Sequence, residues 1–189
     1  MRSVRIARDA DTSPDVLEQL AAHYRPSVRK VVASNPNTPA AVLTALVRDD
    51  NRTVRRAAAW NPNTPAAALT ILSADTDQAV RVRVARIRNL PASALKTLAG
   101  DSSWQVRVRV ARNRNTPVAV LTTLAADEYW YVRMAVAKHP NTPSRVLTKL
   151  ADDTYRDVRI AALTALTQHT RRPIGHFQLL RERRWPWLS

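Results

Sequence analysis

No cysteine occurs in the chain, and among its 189 residues glycine appears only twice, at Gly100 and Gly175. The first absence excludes a disulfide framework, a thiolate-ligated zinc or iron–sulfur site and a cysteine nucleophile. The second excludes nearly as much. A Walker loop, a dinucleotide-binding fingerprint and a nucleophile elbow each need glycine at fixed positions, and neither glycine lies in such a pattern. An apolar run of about 18 residues is also missing, and the opening MRSVRIARDADTSPDVLEQL has no apolar stretch leading to a small-residue cleavage site. The expectation is a soluble, cytoplasmic protein that does not enter a membrane. His23, His139, His169 and His176 lack metal-ligand spacing, and no Ser-His-Asp set or calcium loop can be assembled. Neither a metal nor a cofactor is expected.

Acidic residues are scarce as well: 15 Asp and Glu stand against 30 Lys and Arg, a formal charge of +15. Of the basic residues 26 are Arg, which grips phosphate and carboxylate in a bidentate fork where Lys is a point charge. The bias points to anion recognition or to codon usage. Hydrophobic residues make up 45% of the chain and charged ones 24%, proportions of a folded domain rather than of basic disorder.

What is present is a repeat. Pro39, Pro65, Pro91, Pro117 and Pro143 lie 26 residues apart, and Val-Arg pairs at 28, 54, 80, 106, 132 and 158 keep the same step. This divides the chain into an N-terminal capping repeat over 1–27, five tandem units over 28–157 and a divergent C-terminal cap over 158–189. Thr-Pro pairs predict a first helix, A, that starts at each proline behind a hydroxyl cap and ends near Asp49, Asp75, Asp101, Asp127 or Asp153. A second helix, B, starts just before each Val-Arg pair and ends by Asn-Pro-Asn. The segments VRVRVA at 80–85 and 106–111 alternate as strands do, but VRKVVA, VRRAAA, VRMAVA and VRIAAL at the same register do not. The expected fold class is therefore all-α.

The recurring string of Val-Arg, Ala-rich turn, Asn-Pro-Asn-Thr-Pro, Val-Leu, Leu-Ala and Asp resembles the leucine-rich repeat variant (LRV) family over about residues 4 to 165, and in its second half HEAT-like repeats. The resemblance implies a right-handed α-solenoid of six to seven two-helix repeats, with one helix of each pair short or 3₁₀. The iron–sulfur cluster associated with the founding pattern of that family needs cysteines and does not carry over. The 26-residue step also exceeds the usual repeat of the family.

Numbering helix B from its Val as zero, at about 100° per residue, positions 0, 4 and 5 are apolar and form the packed face. Position 1 falls within that face and is always Arg, so it needs a partner. The Asp six residues earlier offers one, pairing Asp49 with Arg55, Asp75 with Arg81, Asp101 with Arg107, Asp127 with Arg133 and Asp153 with Arg159. In HEAT-like repeats the corresponding pair forms a ladder between neighbours. Arg29, with His23 at the Asp position, is left without one.

Positions 2, 3 and 6 form the opposite face, where Lys30, Arg56, Trp60, Arg83, Arg86, Arg109, Arg112, Met134 and Lys138 would line one cationic wall free of acids. Arg88 and Arg114 replace the proline of Asn-Pro-Asn in the two central units and add to it, or are merely tolerated there. Trp104, Tyr129, Trp130, Tyr131 and Tyr155 cover turns and seams, or stack on bases; Trp60 is the better stacking candidate. Phe177, Leu179, Leu180, Trp185 and Trp187 read as an apolar cap, and Arg171, Arg172, Arg181, Arg183 and Arg184 extend the basic surface.

The function expected is a non-catalytic module that binds nucleic acid, through the DNA backbone, or another polyanion. The alternative is a protein-interaction scaffold for an acidic partner. A third reading, resemblance to the alkylpurine DNA glycosylases built on HEAT-like repeats, would use Trp104, Trp130 and Asp101 or Asp127.

Overall fold

The structure, a computed structural model, describes residues 2–171; the apolar-cap residues 177–187 and the tail arginines from 172 onward lie outside the described residues. In chain order the helices are α1 (Arg2–Arg8), α2 (Pro14–Ala21), α3 (Pro26–Ser34), α4 (Ala40–Leu46), α5 (Arg52–Trp60), α6 (Ala66–Leu72), α7 (Gln78–Val84), α8 (Ala92–Ala99), α9 (Trp104–Arg112), α10 (Val118–Leu124), α11 (Trp130–Ala137), α12 (Ser144–Leu150) and α13 (Arg156–Arg171). No strand occurs among the described residues, and no helix there is long and apolar enough to cross a membrane. The odd-numbered helices are the B helices and the even-numbered ones the A helices. Each B helix packs on the B helices before and after it, and each A helix packs on the B helix that follows it and, α8 excepted, on the one that precedes it, which makes a two-layered α-solenoid.

None of these helices before α13 exceeds nine residues, too short to be stable alone in water, so burial between layers holds them. The A helices contribute Leu43, Leu69, Leu95, Leu121 and Leu147, and the B helices contribute Val28, Val54, Val80, Val106, Val132 and Val158, all buried. Each such side chain stabilises the stack by about 1.5–3 kcal/mol. Ala33, Ala59, Ala85, Ala111 and Ala137, buried at position 5, keep neighbouring helices close.

The Thr-Pro pairs work differently from the capping role expected of them. From Pro39 to Pro143 the repeat proline is itself the cap, in extended backbone, and the helix starts one residue later; only Pro14 sits inside the first turn. The threonine faces backwards. Thr38, Thr64, Thr116 and Thr142 donate their hydroxyls at 2.6 Å to the carbonyls of Val32, Ala58, Val110 and Val136, six residues earlier in the preceding B helix. A helix end leaves four carbonyls without partners, and a buried hydroxyl gains more from one of these than from the less buried start of helix A.

Asn-Pro-Asn supplies a second ladder. Asn61 donates its Nδ2 to the carbonyls of Ala33 (2.9 Å) and Asn35 (2.8 Å) in the preceding repeat, and its Oδ1 accepts from the N–H of Asn63. Asn35 repeats the pattern, Asn113 keeps the bond to the Ile87 carbonyl at 2.7 Å, and His139 substitutes for Asn with Nε2 at 2.9 Å from the Asn113 carbonyl and Nδ1 accepting from the N–H of Asn141. Burial holds the His139 imidazole below its ordinary pKa of 6.5, against the opposing pull of the Asn113 carbonyl. The turn after α7 is the exception. Ile87 and Leu90 stand where the other turns have Asn or His and Thr, so neither the backward Asn bonds nor the Thr bond forms there. Leu90 is buried instead.

Candidate functional site

The position 1 arginines form a continuous ladder, but with the next repeat rather than their own. Arg55 donates Nε (2.6 Å) and Nη2 (2.9 Å) to Asp75, twenty residues on, while its Nη1 reaches the backbone carbonyls of Asp49 and Asp50. Arg81 with Asp101, Arg107 with Asp127 and Arg133 with Asp153 repeat this fork. The pairing of each Arg with the Asp six residues earlier is thereby corrected: that Asp supplies its carbonyl, and its carboxylate belongs to the previous repeat. Arg29 is no exception, since it takes Asp49. Arg159 holds the carbonyls of Asp153 and Thr154. The hydrogen bond to aspartate, opposed by burial, raises the pKa of Arg29, Arg55, Arg81, Arg107 and Arg133. Burial pushes Asp49 up, yet the bonds from Arg29 and the Asn51 N–H outweigh it and leave it below the usual carboxylate value. Asp153 is lowered first by the bond from Arg133. Asp101 and Asp127, the acids a glycosylase reading would need, are both held in this ladder.

The acid-free cations gather elsewhere. Arg86 and Arg112, at position 6, just beyond the end of α7 and at the last residue of α9, and Arg88 and Arg114, in the turns after those helices, are exposed; Arg109 is half-buried. Together with Ala85, Asn89, Asn113 and Asn115 they line one open groove of about 520 Å³. None of the five has a carboxylate partner among the described residues. Burial first, then Arg86 and Arg112, pull the Arg109 pKa down. The groove thus holds like charges close together with nothing to neutralise them.

The single stripe expected from the helical wheel divides. Arg83 leaves the groove and lays its guanidinium over the ring of Trp60, with its Nε buried and without a hydrogen-bond partner. Burial, helped by Arg86, pushes its pKa down to about 10, still cationic at neutral pH. The cause is that position 3 lies only about 60° from the Val direction, toward the preceding B helix. Ala57, Ala135 and Ala161 at that position are correspondingly buried, as is Val108 at position 2. Lys30, Arg56 and Trp60 share a second groove of about 390 Å³ with Ser34, Thr53, Ala57, Asn61 and Pro62. Lys138 lines a third, whose wall includes Asp157 and Met134, so it does not join the arginines.

The aromatic residues form a seam. Trp104 stacks on Tyr129 and Trp130 on Tyr155, while Tyr131 meets both tryptophans edge-on. Tyr129 and Tyr155 lie beside the ladder arginines Arg107 and Arg133, and the Tyr131 hydroxyl accepts a 3.0 Å bond from Arg112. The seam therefore ties the ladder to the groove. No group of three His, Cys, Asp or Glu residues able to hold a metal occurs among the described residues.

No curated protein matches this chain. A solved structure described as a leucine-rich repeat variant with a novel repetitive protein structural motif is 24% identical, with 86% of this chain and 85% of that one aligned and a TM-score of 0.48. An engineered protein of known structure is 18% identical over 90% of this chain and 97% of that one, with a TM-score of 0.45. The family model of the leucine rich repeat variant domain matches residues 1–59, and that of the leucine rich repeat variant matches 52–77 and 104–128. Between them, 78–103 holds the unit whose turn lost its Asn and Thr; the matched segments, more than half of the chain, carry the Val-Arg, Asn-Pro-Asn-Thr-Pro and Asp register, and the chain belongs to the leucine-rich repeat variant family.

Proposed function

We propose that this repeat scaffold binds the phosphate backbone of nucleic acid, or a polyanion like it, along its B-helix wall, without catalysis. The observation that carries the reading is the groove of Arg86, Arg88, Arg109, Arg112 and Arg114, five guanidinium groups with no carboxylate partner among the described residues. Uncompensated arginines repel one another, and a row of phosphates relieves that repulsion while accepting bidentate bonds. The position 1 arginines Arg29, Arg55, Arg81, Arg107 and Arg133 are already matched to aspartates, so they and the groove arginines separate by role. Against glycosylase chemistry, Asp101 and Asp127 are spent on Arg81 and Arg107, and Trp104 and Trp130 stack on Tyr129 and Tyr155.

The test is binding to duplex DNA, single strands, RNA and heparin across a salt titration. With about four to six phosphates neutralised, log K falls against log salt with a slope of roughly −4 to −5 on duplex DNA. Replacing Arg86, Arg88, Arg112 and Arg114 by Ala makes that slope shallower by roughly 0.9 for each phosphate no longer neutralised. No salt-dependent retention of any nucleic acid at about 50 mM salt refutes the reading. An acidic protein recovered stoichiometrically in place of nucleic acid would transfer the groove to a protein partner.

A further inference from the structure

The aromatic side chains of this protein are not equivalent as surfaces for a ligand. Trp104, Trp130 and Tyr131 are half-buried and spend their rings on one another, and Tyr129 and Tyr155 are each stacked on one of the tryptophans. Among the described residues Trp60 alone stands on the cationic wall, 59% exposed and without an aromatic neighbour there. Arg83 covers one face of its indole, which leaves the other face to the groove it shares with Lys30 and Arg56. That groove and the five-arginine groove lie along the same run of B helices, α3 and α5 for the first, α7 and α9 for the second.

The geometry points to an unpaired base stacking on the open face of Trp60 while the backbone on either side of it runs over the cations, so that the wall takes single-stranded nucleic acid in preference to a duplex. The inference rests on the polyanion reading above. A base inside a duplex has both faces covered by its neighbours, so only a single strand can offer one to an indole without unstacking. Arg83, fixed by burial on the far side, keeps the ring planted and adds positive charge behind it. With B helices about 8–10 Å apart, the path from α3 to α9 covers roughly 24–30 Å, enough for on the order of four to five nucleotides.

The polar groups beside Trp60 are already engaged. Asn61 spends its Nδ2 on the carbonyls of Ala33 and Asn35 and its Oδ1 on Asn63, the Ser34 hydroxyl bonds the Lys30 carbonyl, and the Thr53 hydroxyl bonds Asn51. Their hydrogens are spent inside the protein, and the donors that remain, on Lys30 and Arg56, are flexible cations given to the phosphates, so the strand is bound with little base selectivity.

The experiment measures binding of a fluorescein-labelled 12-nucleotide oligothymidylate, a mixed-sequence single strand and a 12-base-pair duplex to wild type, W60A and W60F at about 100 mM salt, with a thermal melt of each variant. Stacking of one base is worth about fivefold to a hundredfold in affinity. Wild type should therefore bind both single strands at least about fivefold tighter than the duplex. W60A should lose that advantage while its duplex binding stays within about twofold, and W60F, which keeps an aromatic face, should retain most of it. Equal single-strand affinity for W60A and wild type overturns the inference and leaves the phosphate reading intact. Loss on single strand and duplex alike, in W60A that melts as wild type does, also overturns it, because Trp60 would then act only by placing Arg83. Absence of binding to every oligonucleotide at about 100 mM salt overturns the inference, and the phosphate reading falls with it if duplex DNA, RNA and heparin also fail to be retained at about 50 mM.

Discussion

Removing the guanidinium of Arg107 tests whether the Arg–Asp ladder holds the repeats together. Its side chain is 9% exposed and that of Asp127 is 5% exposed, so the pair sits in a region of low water access. In wild type Arg107 makes two bonds to Asp127, at 2.6 and 2.9 Å, reaches the carbonyls of Asp101 and Ser102, and touches Glu128 at 3.1 Å. R107A deletes all of these and strands a carboxylate that cannot recover its hydration. Breaking a buried pair from one side costs about 3–5 kcal/mol. At roughly 2–4 °C per kcal/mol for a chain of this size, the melting temperature should drop by about 6–20 °C. The measurement is urea and thermal denaturation followed by circular dichroism. The double variant R107M/D127L removes the stranded charge with its partner, and apolar replacements of similar volume are often neutral or better. It should therefore recover most of the loss. A cost for R107A below about 1 kcal/mol, the range of solvent-exposed pairs, would refute the reasoning, as would a double variant no more stable than R107A.

The groove arginines should behave in the opposite way: R86A/R88A/R114A, which breaks no ion pair and relieves like-charge repulsion, is expected to melt at or above the wild-type temperature in low salt, and a drop of several degrees would show a structural role. N61A leaves the carbonyls of Ala33 and Asn35 without their side-chain donor and should cost about 1–3 kcal/mol in urea denaturation. The His139 pKa is lower folded than unfolded, so the unfolded chain binds the extra proton first; stability is complete above about 6.5 and falls as pH drops below it. The urea midpoint of wild type should therefore decline between pH 7.5 and 5.5, and H139N, which keeps a side-chain donor and acceptor without titrating, should flatten that decline. Asp49 and Asp153 are lowered from 3.8, so their contribution is present above that value and is lost only as pH falls below it, a separate acid limb that H139N leaves unchanged.

The helix pairs, their boundaries and the buried Val, Leu and Ala positions follow from the 26-residue register, because each unit repeats the same pattern of apolar spacing and helix stops. The partner of each ladder arginine does not. In a periodic chain a position is known only modulo the period, and an Asp six residues before Arg55 is indistinguishable in register from one twenty residues after it. Three-dimensional stacking chooses the second. Arg83 departs from the expected wall for a different reason: a wheel drawn at 100° per residue treats 300° as remote from the packed direction when it is adjacent to it. The Asn ladder is hidden in the sequence because Asn beside Pro reads as turn chemistry. One signal for it is nevertheless present: Asn113 and Asn115 persist where the proline between them has become Arg114, so these asparagines do more than form a turn.

The turn after α7 has a mechanical consequence. A stack of repeats is a one-dimensional chain of interfaces, and such a chain parts first where neighbouring units are least cross-linked. Between α5 and α7 the Arg55–Asp75 fork remains and the exposed Arg52 reaches Asp77 at 3.1 Å, a pair that water largely screens, but the buried bonds of the turn are missing: Ile87 sends no amide back to the preceding repeat and Leu90 no hydroxyl to its own helix. What bridges that joint on the wall side is the guanidinium of Arg83 resting on Trp60, one residue from each side. Partial unfolding should accordingly separate an N-terminal block ending at α5 and α6 from a C-terminal block beginning at α7. Amide protons of α7 should exchange ahead of those in α3 and α11, and a strand lying across both grooves would span the joint as a splint, slowing that exchange most where the protein's own cross-links are fewest.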